Sequence, residues 1–302
     1  MPVAAETRRA RLPLARGVEG AGVRVHPMLA ARMLAMPHFY QRPSGPLSTL
    51  RGLGLLTSRS RFRPVPIPAY LVEHPGAGAV LIDTGLPKTV AEEGARALGV
   101  AAGLAYTIEM EPEWAVVEQI RAKDIDPMDV RVVVMTHLHY DHAGGVADFP
   151  QATFVVDAAE WRVARSGGFT KGYARKLFDH PFDWREVAFD DPRVVSSFAS
   201  FGRTIDLFGD GSVRLLSTPG HTPGHMSVLL RLESGRELLL TADAAYARRT
   251  IDEELVPVFV DDVHRYRRSL REIRRYVDQT PAAEVICGHD REAWPQVRET
   301  YT

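Results

Sequence analysis

Apolar positions along this chain change their spacing from one stretch to the next, and the changes predict its elements. Residues 1–22 are rich in Arg, Ala and Gly without a sustained period, which indicates a loose arm. Residues 27–40 are apolar and compatible with a helix as far as Pro37. The stretch that follows, up to about residue 66, is interrupted by Pro, Gly and Ser and is therefore predicted to be a loop.

From about residue 67 the pattern becomes typical of strands. The runs IPAYLVEH and AVLIDTG are separated by PGAGA, which predicts a hairpin. VRVVVM at 130–135 is a continuous apolar run and predicts a strand that is buried on both faces. Further strands are predicted in the later runs RTIDLF, VRLLST, MSVLLRLE, ELLLTAD and AEVIC.

Helical spacing occurs between and after these strands. It is found in EWAVVEQIRAKDI, AAEWRVARS and KGYARKLFD, and most clearly in DDVHRYRRSLREIRRYVDQ. The last of these places its apolar residues on one stripe and its arginines on the other face; the stripe comprises Val263, Tyr266, Leu270, Ile273 and Val277. This order of elements favours an α/β fold with layered sheets and outer helices in a single domain.

Composition excludes some classes of function and leaves others open. Of the 302 residues, 37 are basic and 38 acidic, so the net charge is −1. This balance predicts neither a nucleic-acid nor a membrane partner, although a local patch stays possible. Cys287 is the only cysteine, and neither a signal peptide nor a run of about 18 apolar residues is found, so a cytoplasmic protein is expected.

The strongest chemical signal is THLHYDHAGG at 136–145, directly after an apolar strand. His137, His139 and Asp141 are spaced by two, so in an extended segment they point to the same side. His142 must point elsewhere, which suits a second metal beside the first. Imidazole and carboxylate together form a zinc-type ligand set that also suits iron, cobalt or manganese.

Other candidate ligands follow other predicted strands. His221 lies in the turn TPGHTPGH, Asp243 ends LLLTAD, and His289 follows the last strand. A carboxylate has two oxygens, so Asp243 is able to bridge two cations. His225 is the weaker candidate in its turn and is interpreted as a residue that supports the ligands.

With these motifs in place, the chain resembles the metallo-β-lactamase superfamily over roughly residues 65–293. The resemblance implies an αβ/βα sandwich, two mixed sheets flanked by helices, with two divalent metal ions, expected to be zinc, at the strand ends. It implies that Asp83 in LIDTG supports the ligand loop through hydrogen bonds. The implied ligands are His137, His139 and His221 for one metal and Asp141, His142 and His289 for the other, with Asp243 between them.

Within that superfamily, HLHYDHAGG, TPGHTPGH, DAAY and CGHD together resemble the quorum-quenching N-acyl homoserine lactonases. The resemblance implies a hydrolase that opens the ring of N-acyl homoserine lactones. Tyr246, three residues after Asp243, corresponds to a tyrosine that faces the substrate carbonyl. Asp141 is implied to return a proton to the leaving oxygen. A metal-activated hydroxide would be the nucleophile, and the sequence signals no Ser or Cys nucleophile.

Several alternatives stay open at this stage. A thioesterase of the glyoxalase II kind has the same ligands but adds a helical domain, whereas only 13 residues follow His289 here. A one-iron sulfur dioxygenase does not use the second ligand set, and a nuclease needs a basic face. A metal-stabilised binding protein without catalysis is the alternative from a different class.

The N-terminal region departs from the compact members of the family. We expect residues 1–64 to form an arm that includes an acyl-pocket or lid segment, and residues 65–302 to form the catalytic domain. Met33 and Phe39 are the candidates for walls of an acyl channel, because this apolar stretch includes flexible methionines. The expected partner is a small-molecule lactone, and a homodimer is left open.

Overall fold

The computed structural model describes residues 5–302, and of Ala101 and Phe169 only the backbone. Two β-sheets form the centre of the molecule, and helices cover their outer faces. The strands are β1 (Thr7–Arg9), β2 (Arg24–Ala35), β3 (Arg63–His74), β4 (Gly78–Ile82), β5 (Ile108–Glu109), β6 (Val132–Val134), β7 (Thr153–Asp157), β8 (Asp183–Val187), β9 (Val195–Phe198), β10 (Phe201–Asp206), β11 (Val213–Ser217), β12 (Met226–Arg231), β13 (Glu237–Ala242) and β14 (Glu284–Cys287).

The helices are mostly short and connect or cover these strands. They are α1 (Ser48–Gly52), α2 (Val90–Glu93), α3 (Val100–Ala105), α4 (Val116–Arg121), α5 (Tyr140–Ala143), α6 (Ala158–Ser166), α7 (Arg175–Phe178), α8 (Arg248–Asp252) and α9 (Val263–Gln279). The longest, α9, begins at an N-cap, Asp262, whose carboxylate accepts hydrogen bonds from the backbone N–H groups of His264 and Arg265.

The two sheets differ in strand order, and each contains strands that run in the same direction. The larger sheet has the order β1-β8-β7-β6-β4-β3-β2-β5, and the smaller has β14-β13-β12-β11-β10-β9. Strand β6 runs parallel to both of its neighbours, β4 and β7, so its backbone groups are paired on both sides. In the smaller sheet, β13 and β14 are parallel, and β11 has the same direction because β12 is antiparallel to both β11 and β13.

Buried side chains form three layers. One apolar cluster fills the space between the two sheets, a second lies between the larger sheet and its helices, and a third lies between the smaller sheet and α9. The αβ/βα sandwich implied by the resemblance is therefore the observed architecture. The hairpin β3–β4, the strands β10 to β14 and the helices α4, α6 and α9 are confirmed.

The predictions for the N-terminal region were wrong in two places. Residues 27–40 were expected to be helical, but they belong largely to β2, which pairs antiparallel with β3 along its whole length. Ala, Leu and Met favour a helix in isolation, yet the partner strand satisfies the backbone of β2 and covers its side chains. Residues 5–22 are not a loose arm, because β1 pairs with β8 and Ala5 is buried. The remainder of the predicted arm, residues 1–4, lies outside the described residues.

Two smaller boundaries also differ from the sequence-based expectation. Strand β3 begins at Arg63 rather than near residue 67, and the helix predicted from KGYARKLFD is reduced to α7. Because β2 pairs with β3, residues 24–35 are built into the same sheet as the region that follows residue 64.

Candidate metal centre

The candidate ligands converge at one edge of the sandwich. His137, His139, Asp141 and His142 follow β6, while His221, Asp243 and His289 follow β11, β13 and β14. The structure brings these seven side chains into three overlapping groups, in each of which the candidate ligand atoms lie within 4.8 Å of one another. The groups are His137, His139 and His221; His137, His142 and Asp243; and Asp141, His142 and His289.

Asp243 lies between two sets of imidazoles. Its Oδ2 atom is 3.2 Å from His221 Nε2, and its Oδ1 atom is 3.2 Å from His289 Nε2. His221 Nε2 also lies 2.9 Å from His139 Nδ1. Ligands about 2.0 Å from a tetrahedral metal ion are separated by about 3.3 Å, so these spacings suit two cations with one carboxylate between them.

Unpaired polar atoms provide an independent test of that fit. Among residues 5–302, His137 Nε2, His142 Nε2 and Asp243 Oδ1 are buried and have no hydrogen-bond partner. Leaving such atoms unpaired costs roughly 1–3 kcal/mol each. Three of them in one place therefore indicate that a bound group pairs with them. Divalent cations would satisfy all three, and the His/Asp cluster therefore fits a dinuclear divalent metal site.

Three of the five candidate histidine ligands have their second ring nitrogen held by a neighbouring carboxylate or carbonyl group. His142 Nδ1 donates to Asp83 at 2.7 Å, His221 Nδ1 to the carbonyl of Phe259 at 2.9 Å, and His289 Nδ1 to the carbonyl of Pro66 at 2.8 Å. Each of these bonds fixes the ring orientation and leaves Nε2 free to face the site.

Asp83 makes hydrogen bonds to the ligand loop of the kind that the family resemblance implied. Its carboxylate accepts hydrogen bonds from Thr136 N at 2.8 Å and Thr136 Oγ1 at 2.7 Å, in addition to the one from His142. Its backbone φ of +57° is uncommon for a residue with a side chain. Asp83 therefore ties the end of β4 to the first residue of the ligand loop.

His225 lies behind the ligands rather than among them. Its Nε2 atom accepts a hydrogen bond from the backbone N–H of Asp243 at 3.0 Å, so its Nδ1 donates to Thr218 Oγ1 at 2.9 Å. Both ring nitrogens are thereby occupied, and His225 belongs to none of the three ligand groups. Its contact positions the backbone of Asp243.

Glu160 is a functional candidate that the sequence reasoning missed. It is fully buried on α6, and its Oε1 accepts from the backbone N–H of Leu138 at 3.0 Å and from the hydroxyl of Tyr173 at 3.1 Å. Its Oε2 accepts from the N–H of Gly224 at 3.3 Å. One carboxylate thus joins the two loops that contribute His137, His139 and His221. The only available sequence signal was an acidic residue on the apolar face of a helix.

Close packing also fixes the ring of His139. Gly172 has a φ of +84°, and a Cβ atom there would lie 2.6 Å from the His139 ring. Only glycine allows the backbone to approach this closely in that conformation.

Tyr246 lies beside the ligand cluster, as its offset from Asp243 suggested. Its hydroxyl is 3.4 Å from His221 Nδ1, and its ring packs edge-on against His289 with centroids 5.2 Å apart. Phe39 stacks on the Tyr246 ring at 4.7 Å and also packs edge-to-face with His289 at 5.5 Å. Burial raises the pKa of Tyr246 well above 10, so the phenol stays protonated and able to donate a hydrogen bond.

Of the two pocket candidates, only Phe39 contacts residues at the site directly. Met33 is buried on β2, where its sulfur accepts a hydrogen bond from the hydroxyl of Tyr140 at 3.3 Å. Tyr140 immediately precedes Asp141, so Met33 reaches the site through this tyrosine. Tyr40 was not among the predicted site residues, yet its hydroxyl donates to the carbonyl of His289 at 2.8 Å.

Burial also sets the protonation of the first ligand group. It lowers the pKa of His137 well below 6.5 and the pKa values of His139 and His221 to about 3. These imidazoles are therefore neutral near pH 7, which is the form that binds a metal.

Comparisons with known proteins agree with this geometry. The family model described as "Metallo-beta-lactamase superfamily" matches residues 62–289. The N-acyl homoserine lactonase AttM of Azorhizobium caulinodans is 35% identical over 238 residues, which is 78% of this chain and 86% of that protein. The lactonase AiiA of Bacillus thuringiensis subsp. kurstaki is 26% identical, over 76% of this chain and 82% of its own.

Solved structures show the same architecture. A structure of an N-acyl homoserine lactone hydrolase, with N-hexanoyl-L-homoserine at its catalytic metal centre, superposes with a TM-score of 0.72 at 23% identity. The match covers 93% of this chain and 97% of that one. The dizinc lactonase AidC superposes with a TM-score of 0.61 at 14% identity, over 93% of this chain and 90% of its own.

Proposed function

Because the chain belongs to the metallo-beta-lactamase superfamily, and within it to the N-acyl homoserine lactonases, we propose that it hydrolyses the lactone ring of N-acyl homoserine lactones. The product is the corresponding N-acyl homoserine, so the activity is quorum quenching. The observation that carries the proposal is the buried ligand cluster with the protonated Tyr246 beside it.

We propose two metal ions, because Asp243 lies between His221 and His289, and zinc as their identity. The proposed ligands are those named from the sequence: His137, His139 and His221 on one side, Asp141, His142 and His289 on the other, and Asp243 between them. The imidazole-rich set favours zinc, although iron, cobalt and manganese use similar ligands.

The residues around the cluster can each be given a task in the reaction. When bound, two divalent cations supply a nucleophile from water at neutral pH and polarise the carbonyl group. Tyr246 is placed to donate a hydrogen bond to the carbonyl oxygen as negative charge develops there. Asp141, whose Oδ2 is 3.8 Å from His289 Nε2, would take up the proton that the attacking water loses and return it to the departing ring oxygen. Asp83 and His225 hold His142 and Asp243 in place.

The acyl chain of the substrate requires an apolar wall, and we propose that residues of the N-terminal region form it. Phe39 supports this directly through its stack on Tyr246, and Met33 through its contact with Tyr140. In this proposal residues 65–302 carry the metal centre, and the strand and turn before residue 64 complete the pocket within one domain.

The other proposals concern location and partners. A cytoplasmic location is supported by the single cysteine. No helix among residues 5–302 is long and apolar enough to span a bilayer. A homodimer and the absence of a nucleic-acid partner stay predictions. The predicted absence of a membrane partner was drawn from the net charge and from the lack of a long apolar run, and neither observation addresses a local surface patch.

The decisive experiment measures acid release from a panel of N-acyl homoserine lactones, with chelator-treated protein as the control. We expect turnover that is lost on chelation and restored by zinc. Elemental analysis of protein prepared without chelator should give about two metal ions per chain. Turnover of a glutathione thioester without turnover of any lactone would favour the thioesterase alternative, and a reproducible ratio near one would contradict the dinuclear site.

A further inference from the structure

Residues 41–63, here called the leucine–arginine segment, contain more exposed large apolar side chains than any other stretch of comparable length among the described residues. Leu47, Leu50, Leu53, Leu55 and Leu56 are all exposed, with Leu47 at 62% and Leu55 at 67%. Single exposed apolar residues need no explanation, but a contiguous group marks an interaction site. All but the last two residues of the segment also precede residue 62, where the match to the family model begins.

Charge in this region is of one sign. Residues 20–72 contain seven arginines and no acidic residue, although about seven acidic residues would be expected at the average frequency of the chain. Three of the arginines, Arg59, Arg61 and Arg63, are exposed within five positions of the segment. The net charge of −1 for the whole chain conceals this concentration.

These arginines are not neutralised by the protein itself. In the part of the chain that the structure describes, the ion pairs include none of Arg51, Arg59, Arg61 and Arg63. Arg63 donates to the backbone carbonyls of Ser60 and Phe62 at 2.9 Å, and Arg59 lies over the ring of Phe62. The guanidinium charges are therefore available to an anionic partner.

The segment is anchored next to the metal centre. At its start, Arg42 donates two hydrogen bonds to backbone carbonyls: its N–H donates to Val256 O at 2.8 Å, and its Nε donates to Pro257 O at 3.1 Å. Phe259, two residues further on, holds His221. Phe39, just before the segment, stacks on Tyr246.

We propose that the leucine–arginine segment docks the protein on a bilayer surface that carries anionic phospholipid headgroups. Exposed leucines insert into the boundary between headgroups and acyl chains, and arginines next to them pair with phosphate groups. A second copy of the chain fits less well, because a two-fold contact would place the same arginines opposite one another. If the proposed function holds, docking would bring the metal centre to substrates whose long acyl chains partition into the membrane.

The test is flotation of the full chain with vesicles, which requires no catalysis and is therefore independent of the proposed function. Vesicles of equal parts phosphatidylcholine and phosphatidylglycerol are compared with pure phosphatidylcholine, at low salt and at 0.5 M salt. We expect binding to the anionic vesicles that weakens with salt, because screening shortens the range of the arginine charges. Parent protein that does not float with anionic vesicles at low salt would overturn the proposal.

Variants assign the binding to the segment. Leu55→Asp with Leu56→Asp should lower binding at least about tenfold, and Arg59→Gln with Arg61→Gln should remove most of its salt dependence. The matched control is Met128→Asp, because Met128 is 50% exposed and precedes β6, at the end of that strand opposite His137. Thermal unfolding and metal content establish that each variant is folded.

Two outcomes would assign the segment to another role and overturn membrane docking. In the first, the parent elutes as a dimer, the leucine variant elutes as a monomer and neither binds vesicles. In the second, the leucine variant loses activity only on long-chain lactones, without vesicles present, and vesicle binding is equal in parent and variant.

Discussion

At the scale of single residues, the carboxylate that most deserves a test is one that binds no metal. Glu160 accepts hydrogen bonds from the backbone of Leu138 in one ligand loop and of Gly224 in the other. Because these loops carry three proposed ligands of one metal, Glu160→Gln should weaken the metal site of His137, His139 and His221. Supporting residues of this kind typically contribute 10–100-fold in metal affinity.

Metal affinity is measured by competition with a chromogenic chelator, and the spectrum of the cobalt-substituted protein reports the geometry of the site. The control is Glu237→Gln, which removes a carboxylate that accepts from Tyr276 Oη at 2.7 Å on the far side of the smaller sheet. If Glu160→Gln has the same metal affinity and cobalt spectrum as the parent, the carboxylate contributes only to packing.

Tyr246 is the second residue whose role can be isolated. Tyr246→Phe keeps the ring contacts with Phe39 and His289 and removes only the hydroxyl. We expect kcat to fall by roughly 10–100-fold with metal content unchanged, because a metal shares the stabilisation of the oxyanion. Tyr266→Phe serves as the control, since Tyr266 is equally buried and its hydroxyl has no partner among residues 5–302. Equal kcat and KM in parent and Tyr246→Phe would remove Tyr246 from the mechanism.

At the scale of elements, β2 and the turn after it are proposed to form the apolar wall that contacts the acyl chain of the substrate. Phe39→Ala should reduce kcat/KM more for long than for short acyl lactones, because each buried CH₂ contributes about 0.8 kcal/mol. Met33→Ala should show a smaller effect of the same kind, since Met33 acts through Tyr140. Both are measured as kcat/KM across a series of chain lengths.

The control for this element is Phe198→Ala, which removes an aromatic ring on β9, at the edge of the smaller sheet. Its effect should be the same for every chain length. Loss of activity that is equal across the series in Phe39→Ala and Met33→Ala, or no loss, would mean that this element is not the acyl wall.

At the scale of the whole molecule, the metal centre connects the two halves of the sandwich. His137, His139, Asp141 and His142 come from the larger sheet, whereas the other three ligands come from the smaller one. A tightly bound metal stabilises the folded state by about 4 kcal/mol at a thousandfold excess over Kd. Chelation should therefore lower Tm by about 6 °C for a chain of this size.

Thermal unfolding with and without chelator checks this expectation, and elemental analysis must show that the metal has left. His289→Ala, which should leave the first ligand group in place, is expected to lie between parent and chelated protein. Metal-free protein that melts at the same temperature as the parent would show that the loops are held by their hydrogen bonds alone.

The elements and ligands that could be predicted from the sequence are those whose pattern lies in neighbouring residues. His137, His139, Asp141 and His142 lie within six positions, so the sequence marks them as candidate ligands. The predicted two-residue alternation holds for His137 and His139, but Asp141 lies in α5 and shares a ligand group with His142 and His289 instead. The apolar runs of β6 and β10 to β14 and the stripe of α9 are likewise local patterns, and they predicted their elements correctly. These strands and this helix could therefore be predicted from the sequence alone.

Tertiary structure decided the features that depend on distant partners. Residues 27–35 have helix-forming side chains, but pairing with β3 satisfies their backbone as a strand. Glu160 carries no motif, and its role exists only because α6 packs between loops that are 22 and 64 positions away along the chain. The exposure of the leucines and arginines in residues 41–63 is likewise a property of the folded surface. The sequence by itself determined which residues could bind metal. The tertiary structure decided which side chains support those residues, because hydrogen bonds and burial join residues that are far apart along the chain.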